Sequence, residues 1–182
     1  MRMETSDEDL VRAAVQGDAQ AFQILINRHY DLIFRLAFKT FGNRADAEDL
    51  AQDICTRLPH KLCSFRAEAR FTTWLYRVTL NAATDRLRSR QTRARANNNW
   101  GEVEQMQRAE TAEKQAELEW LNRAMTHLPD DLRQTVALVL GEDLTHAVAA
   151  GVLGISEGTV SWRMSEVKRI LRAMAKEQER IE

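Results

Sequence analysis

Turn-forming residues are scarce in this chain of 182 residues, which has seven glycines and two prolines. A sheet protein of this size needs many tight turns, so the shortage disfavours β architectures and favours long helices. Cysteine is almost absent, Cys55 and Cys63 being the two thiols. That excludes a disulfide scaffold and fits a reducing compartment. No run of 18 apolar residues occurs, so no membrane insertion is expected. The start, MRMETSDEDLV, is acidic and lacks the charged-then-apolar layout of a secretion signal. The expected location is the cytoplasm. Catalytic signatures are missing too: there is no HExxH, phosphate loop or nucleophile elbow, and the four histidines are scattered. Neither enzymatic activity nor a cofactor is expected. Cys55, His60 and Cys63, with His29 as a fourth ligand, form the one conceivable zinc set. Their spacing matches no common motif, Cys55 reads as a core thiol, and no metal is expected.

Excess charge is missing as well. The 26 basic and 27 acidic residues leave a formal net charge of −1, whereas a nucleic-acid binder is often basic throughout. The distribution is uneven, however. Five arginines fall between Arg86 and Arg95 with no acid among them, and five basic residues between Arg163 and Lys176 accompany the single acid Glu166. Acids gather instead at Asp7–Asp9 and Asp46–Asp53. Localised basic patches bind phosphates even on a neutral protein.

What is present is helical periodicity. Residues 8–17 form a short helix interrupted at Gly17-Asp18, and residues 19–41 carry apolar positions at steps of three and four from Phe22 to Phe41. Gly42-Asn43 ends that helix. Asp46–Leu58 is the next, with Pro59 stopping or kinking it. Thr72 or Thr73 is placed to cap a helix running to about Arg90. From 91 to 114 the apolar pattern fails and the text is polar, which marks a linker. Periodicity returns at Leu118, Leu121, Met125 and Leu128, and further helices are expected at 130–141, 145–153 and 157–178. The fold class is all-α: a helical bundle over 1–90, the linker 91–114, and a second helical module over 115–182.

The second module contains LTHAVAAGVLGISEGTVSWRMSEVKRILR at 144–172. Ala150 is small enough for a close helix crossing, Gly154 suits a positive φ, Ser156 suits an N-cap, and Val160 fills the space between. This is a helix-turn-helix pattern, the alternative being a hairpin with a solvated basic face. Its second helix would lie in the major groove. Arg163 is the candidate guanine reader, because its fork matches two acceptors. Lys168, Arg169 and Arg172 suit phosphates. Trp162 either faces the groove or packs on a neighbouring helix.

In the first module, DAEDLAQD at 46–53 places Asp46, Asp49 and Asp53 at helical spacing, an acidic stripe suited to a basic protein partner or to plain solvation. FTTWLYRVTLNAATDRLR at 71–88 sets Asn81, Asp85 and Arg88 on one polar face leading into the arginine run. Such a face suits a nucleic-acid strand. The loop SFRAEAR at 64–70 offers Phe65 and Arg66 to an unstacked base, unless Phe65 merely anchors the loop.

The order of these pieces resembles the extracytoplasmic-function (ECF) sigma factors of the sigma-70 family. DEDLVRAAVQGDAQAFQILINRHY at 7–30, the acidic helix, the 71–88 segment, Leu128-Pro129 and the helix-turn-helix carry that likeness over almost the whole chain. The resemblance implies a promoter-directing role with core RNA polymerase (β′ clamp and β flap), promoter DNA and an anti-sigma factor as partners. Asp49, Gln52 and Asp53 would face the β′ clamp. Phe65 and Arg66 would sit at a flipped −10 base, and Asn81, Asp85 and Arg88 would line the −10 strand. Ser161, Arg163, Lys168 and Arg169 would contact −35 DNA. The chain departs from the pattern at Ser161 and Glu166, where the family carries a base, and at Trp162, where it carries a small residue. Ala147, Val148 and Gly151 stand where acids are usual. An alternative is a mimic that keeps the fold and titrates an anti-sigma factor. A plain repressor would leave the acidic helix and the 71–88 segment unexplained. The linker also permits a closed form in which the modules pack and hide their basic surfaces.

Overall fold

The computed structural model describes residues 5–96, 120, 121, 124, 125 and 127–180, and among these it contains helices and no strand. Four helices build the first module: α1 (Asp7–Val15), α2 (Ala19–Phe41), α3 (Arg44–Leu62) and α4 (Phe71–Ala96). Among the described residues, the second module holds α5 (Asp130–Val136), which widens into a π-helical turn over Ala137–Gly141, then α6 (His146–Leu153) and α7 (Glu157–Glu179), and residues 120, 121, 124, 125 and 127 are helical as well.

Each early helix starts on a side chain that accepts from an otherwise unpaired backbone N–H. Ser6 accepts from Asp9 N, Asp18 from Gln20 N and Ala21 N, and Asn43 from Asp46 N. Gly42 closes α2 in the left-handed conformation. The long helix α2 lies at the centre, packed against α1, α3 and α4. Leu25, Ile33 and Leu36 of α2 meet Leu50 and Leu58 of α3 and Phe71 and Leu75 of α4 in one fully buried core. Each such side chain contributes about 1.5–3 kcal/mol by leaving water. Asp7 fastens α1 to α2, taking Arg28 at 2.6 Å and His29 at 2.8 Å.

Two expected boundaries are corrected. The third helix does not stop near Leu58; it runs through Pro59 to Leu62. An interior proline costs about 3 kcal/mol, but the extra turn places Leu62 in the core at 1% exposure. Burial of that leucine offsets much of the loss. The fourth helix begins at Phe71, ahead of both threonines expected to cap it, and extends past Arg90 to Ala96. Helix-favouring arginine and alanine carry it on with no apolar face to advertise it. Most of the expected linker lies outside the described residues, as does Leu118.

The modules pack against each other. Glu142, its side chain 3% exposed, receives Lys39 at 2.8 Å and Arg35 at 3.0 Å from α2. The Tyr76 hydroxyl of α4 donates to it at 3.3 Å. Burial pushes the Glu142 carboxyl upward, but hydrogen bonds and charge from Arg35 and Lys39 outweigh that and hold it below its ordinary value. Burial, with Glu142 alongside, pushes the Tyr76 phenol up to about 12. The Arg77 guanidinium donates to the carbonyls of Gly151 and Val152 at the C-terminal end of α6, the negative end of that helix. Gln134 donates to Thr84 at 2.6 Å. At Gly141 an added Cβ would lie 2.6 Å from the Lys39 stem, so glycine there admits the lysine.

Candidate functional site

Three surfaces hold the residues singled out from sequence. The first is a groove between α3 and α4 with a volume of about 810 Å³. Asp49, Asp53 and Arg57 line one wall, and Asn81, Asp85 and Arg90 the other. The acidic residues and the polar face of α4 therefore share one cleft, a juxtaposition their separation in sequence does not disclose. Gln52, Asn81, Asp85 and Arg88 are exposed. Asp49 remains 65% exposed while taking Arg86 at 3.0 Å, and Asp53 pairs with Arg57 at 2.9 Å. Asp46 differs from its two companions. At 17% exposure it is clasped by Arg90, whose hydrogen bond, joined by that of Asn43, holds its carboxyl below the usual range against the opposing effect of burial. Two members of the arginine run, Arg86 and Arg90, are thus struts between helices. Arg88, 68% exposed, lies 3.8 Å from Asp130.

The second surface is the loop after α3. Phe65 is half-buried, its ring edge-on to Phe71 and Trp74 with centroids 5.7 Å away in each case. The anchoring role is therefore real. Beside it opens a cavity of about 500 Å³ lined by Val11, Val15, Leu62, Phe65 and Arg66. Ala67 holds a positive φ of 56°, a conformation that a non-glycine residue adopts only when its surroundings impose it.

The third surface is the helix-turn-helix. Thr145 caps α6, Gly154 takes φ 67°, and Ser156 accepts from Thr159 N at 3.1 Å to start α7. Val160, Met164 and Val167 are buried beneath. Ser161, Trp162, Ser165, Lys168 and Arg169 are exposed. Trp162 takes the outward option, at 62% exposure. Arg163 does not join that face, which corrects the expectation that it is presented to a groove. Its side chain is 16% exposed and pairs with Asp131 of α5 at 3.2 Å. Helical spacing sets residue 163 about 60° from Val160, at the edge of the buried stripe, but it cannot disclose Asp131, which lies on another helix. Arg169 is open but bidentate to Glu166, at 2.6 and 2.9 Å.

As for metals, the described residues contain no group of three or more His, Cys, Asp or Glu placed to hold one. His29 is engaged with Asp7 and the Phe71 ring, Cys55 is half-buried, and Cys63 is exposed. No helix among the described residues is long and apolar enough to cross a membrane.

Comparison with known proteins matches these surfaces to a family. The sequence model of sigma-70 region 2 matches residues 25–93, and that of sigma-70 region 4 matches residues 118–176. The chain is 35% identical over 170 residues to the ECF RNA polymerase sigma factor SigM of Mycobacterium tuberculosis, covering 92% of this chain and 83% of that one. The chain belongs to the ECF sigma factors of the sigma-70 family. Two solved structures share the fold of this sigma factor. CnrH in complex with the cytosolic domain of CnrY is 25% identical, with a TM-score of 0.66 over 94% of this chain and 98% of that one. The sigma factor RpoE of Bartonella quintana, in complex with the anti-sigma factor NepR, is 20% identical, with a TM-score of 0.68 over 87% and 98%. ECF sigma factors are transcription initiation factors, not enzymes, and their regions 2 and 4 bind core RNA polymerase and promoter DNA. The groove and loop lie in region 2, and the helix-turn-helix in region 4.

Proposed function

We propose that this alternative sigma factor divides promoter recognition among the three surfaces. The α3 wall of the groove, with Asp49, Gln52 and Asp53, grips the basic β′ clamp of core RNA polymerase. The α4 wall, with Asn81, Asp85 and Arg88, lines the −10 strand. The cavity beside Phe65 and Arg66 receives an unstacked −10 base, with Phe65 as its packed wall. Ser161, Lys168 and Arg169 of α7 contact −35 DNA, while Arg163 fixes α7 against α5. Region 4 also engages the β flap. The first module spans 1–90 and continues as helix to Ala96, the linker covers the rest of 91–114, and the second module spans 115–182. The protein works in the cytoplasm, and an anti-sigma factor is its regulatory partner, as for the RpoE solved with NepR.

The observation that carries this reading is the shared groove, in which the acidic α3 residues and the exposed α4 polar residues face one another. A strand held by α4 then lies beside the polymerase contact. The test is run-off transcription with core polymerase and promoter fragments of the source organism. Specific transcripts lost in Asp49→Arg and in Asn81→Ala support the reading. Folded protein that yields none, with active core, favours the mimic.

A further inference from the structure

Trp162 occupies the centre of the presented face of α7. At 100° per residue it lies about 200° from Val160, nearly opposite the buried stripe of Val160, Met164 and Val167. It is 62% exposed, so a large, flat, apolar surface with one N–H donor stands where the helix meets a groove. Its neighbours on this face are the hydroxyls of Ser161 and Ser165 and the ammonium of Lys168, all exposed. Ser161 is held by His146 Nδ1 at 2.9 Å across the turn, which orients the residue next to the indole.

The two arginines of α7 nearest Trp162 are both paired, and Arg172, also exposed, stands ten residues further along the helix. Arg163 is turned to Asp131 at 3.2 Å, and Arg169 is clasped by Glu166 at 2.6 Å. The same clasp pairs Glu166 with a cation and so lessens its repulsion of phosphates. What remains at the centre of the face is the indole, flanked by the hydroxyls of Ser161 and Ser165. The major groove displays one apolar group, the C5-methyl of thymine, next to the O4 acceptor of the same base. An indole offers a matching set: ring surface for the methyl and Nε1–H for an acceptor.

We infer that Trp162 is a specificity-determining residue of region 4, reading thymine in the −35 element through its C5-methyl group. This rests on the proposed assignment of α7 to −35 DNA. It replaces guanine reading by arginine with apolar reading by tryptophan at the centre of the helix. The flanking Lys168 supplies phosphate contact without base preference.

The test uses the holoenzyme formed with the full chain. A duplex library randomised across the −35 region is selected for binding. Each thymine of the selected element is then replaced, one at a time, by deoxyuridine, which lacks only the methyl group. At one or two positions deoxyuridine is expected to weaken wild-type binding about fourfold, the effect of losing one buried methyl group. Trp162→Ser removes that discrimination, bringing the thymine-to-uracil ratio to about 1, while Trp162→Phe retains it. Lys168→Ala weakens both duplexes equally. The side chain is exposed, and unchanged circular dichroism of each variant checks the fold. A selected element indifferent to deoxyuridine, or one whose discrimination survives Trp162→Ser, overturns the inference and leaves the −35 assignment standing. Selection that returns no −35 preference overturns both.

Discussion

A charged side chain is defined by its partner as much as by its position, and Arg163 shows how far the two diverge. From its place on α7 it reads as a base contact. In the fold its guanidinium is spent on Asp131 and reaches Thr135 Oγ1 at 3.5 Å. Arg163→Ala is therefore expected to lower the stability of the second module by about 1 kcal/mol, Asp131 being half exposed and solvent weakening the pair. Thermal unfolding measures that loss, and equal losses in Arg163→Ala and Asp131→Ala with no further loss in the double variant would mark the pair as a unit. Lys168→Ala is expected to do the opposite: unchanged stability, but weaker DNA binding with a salt slope shallower by about one. The sequence discloses that both residues are basic and lie on the helix expected to face DNA. It does not disclose which one is tied down, because Asp131 lies 32 positions upstream, and no periodicity within α7 points to it. Asp46 carries the same lesson, since it belongs to the acidic stripe by spacing yet serves Arg90 by contact.

Elements were more legible than partners, because their signals are local. The break at Gly17-Asp18, the Gly42 stop and the Gly154–Ser156 turn all follow from residue types that satisfy backbone groups within four positions, whereas the N-cap roles of Asp18 and Asn43 emerge only in the structure. The boundaries that sequence missed, at Leu62 and at Ala96, are those decided by tertiary burial or by helix propensity without an apolar stripe. The helix-turn-helix offers a quantitative check. Gly154 holds φ 67°, and an added Cβ there meets nothing within 4 Å, so Gly154→Ala carries a backbone cost and no clash. The expected loss is about 1–2 kcal/mol. Gly154→Asn should recover part of it, because asparagine tolerates the left-handed region. Ser156→Ala removes the cap on α7 and is expected to cost about 1 kcal/mol. Chemical denaturation of the four proteins orders them, and a Gly154→Ala loss well above this range would mean that α6 and α7 had shifted.

At the scale of the whole molecule, the closed form anticipated from the linker exists, but it does not hide the surfaces it was expected to hide. Asn81, Asp85, Arg88, Lys168 and Arg169 are exposed with the modules packed. What packing fixes is distance. Helix α4 touches α6, and α6 touches α7, so the two helices proposed to read DNA, α4 and α7, lie about two helix diameters apart, roughly 20 Å. The −10 and −35 elements are centred about 25 base pairs apart, or about 85 Å of B-form DNA at 3.4 Å per step. Reading both at once requires the modules to separate, and residues 97–119 reach at most about 80 Å, which suffices once the modules' own widths are added. On the proposed assignment of α4 and α7 to the two elements, the interface around Glu142 opposes promoter binding. Its carboxyl lies below the ordinary value of 4.5, so the stabilisation it provides is complete above about that pH and is lost as pH falls through the lowered value. Glu142→Gln removes the charge at neutral pH while keeping the shape. Spin labels on exposed Cys63 and on Lys176→Cys report the separation, because burial raises the Cys55 thiol and makes it the less reactive one. Glu142→Gln is expected to broaden the distance distribution at pH 7 and to raise run-off transcription at limiting sigma factor. The wild type should show the same broadening only when acidified below about pH 4.5. A narrow distribution retained in Glu142→Gln would transfer the hold to Arg77, which donates to the carbonyls of Gly151 and Val152 at the end of α6, and Arg77→Ala would then be the variant that opens the molecule.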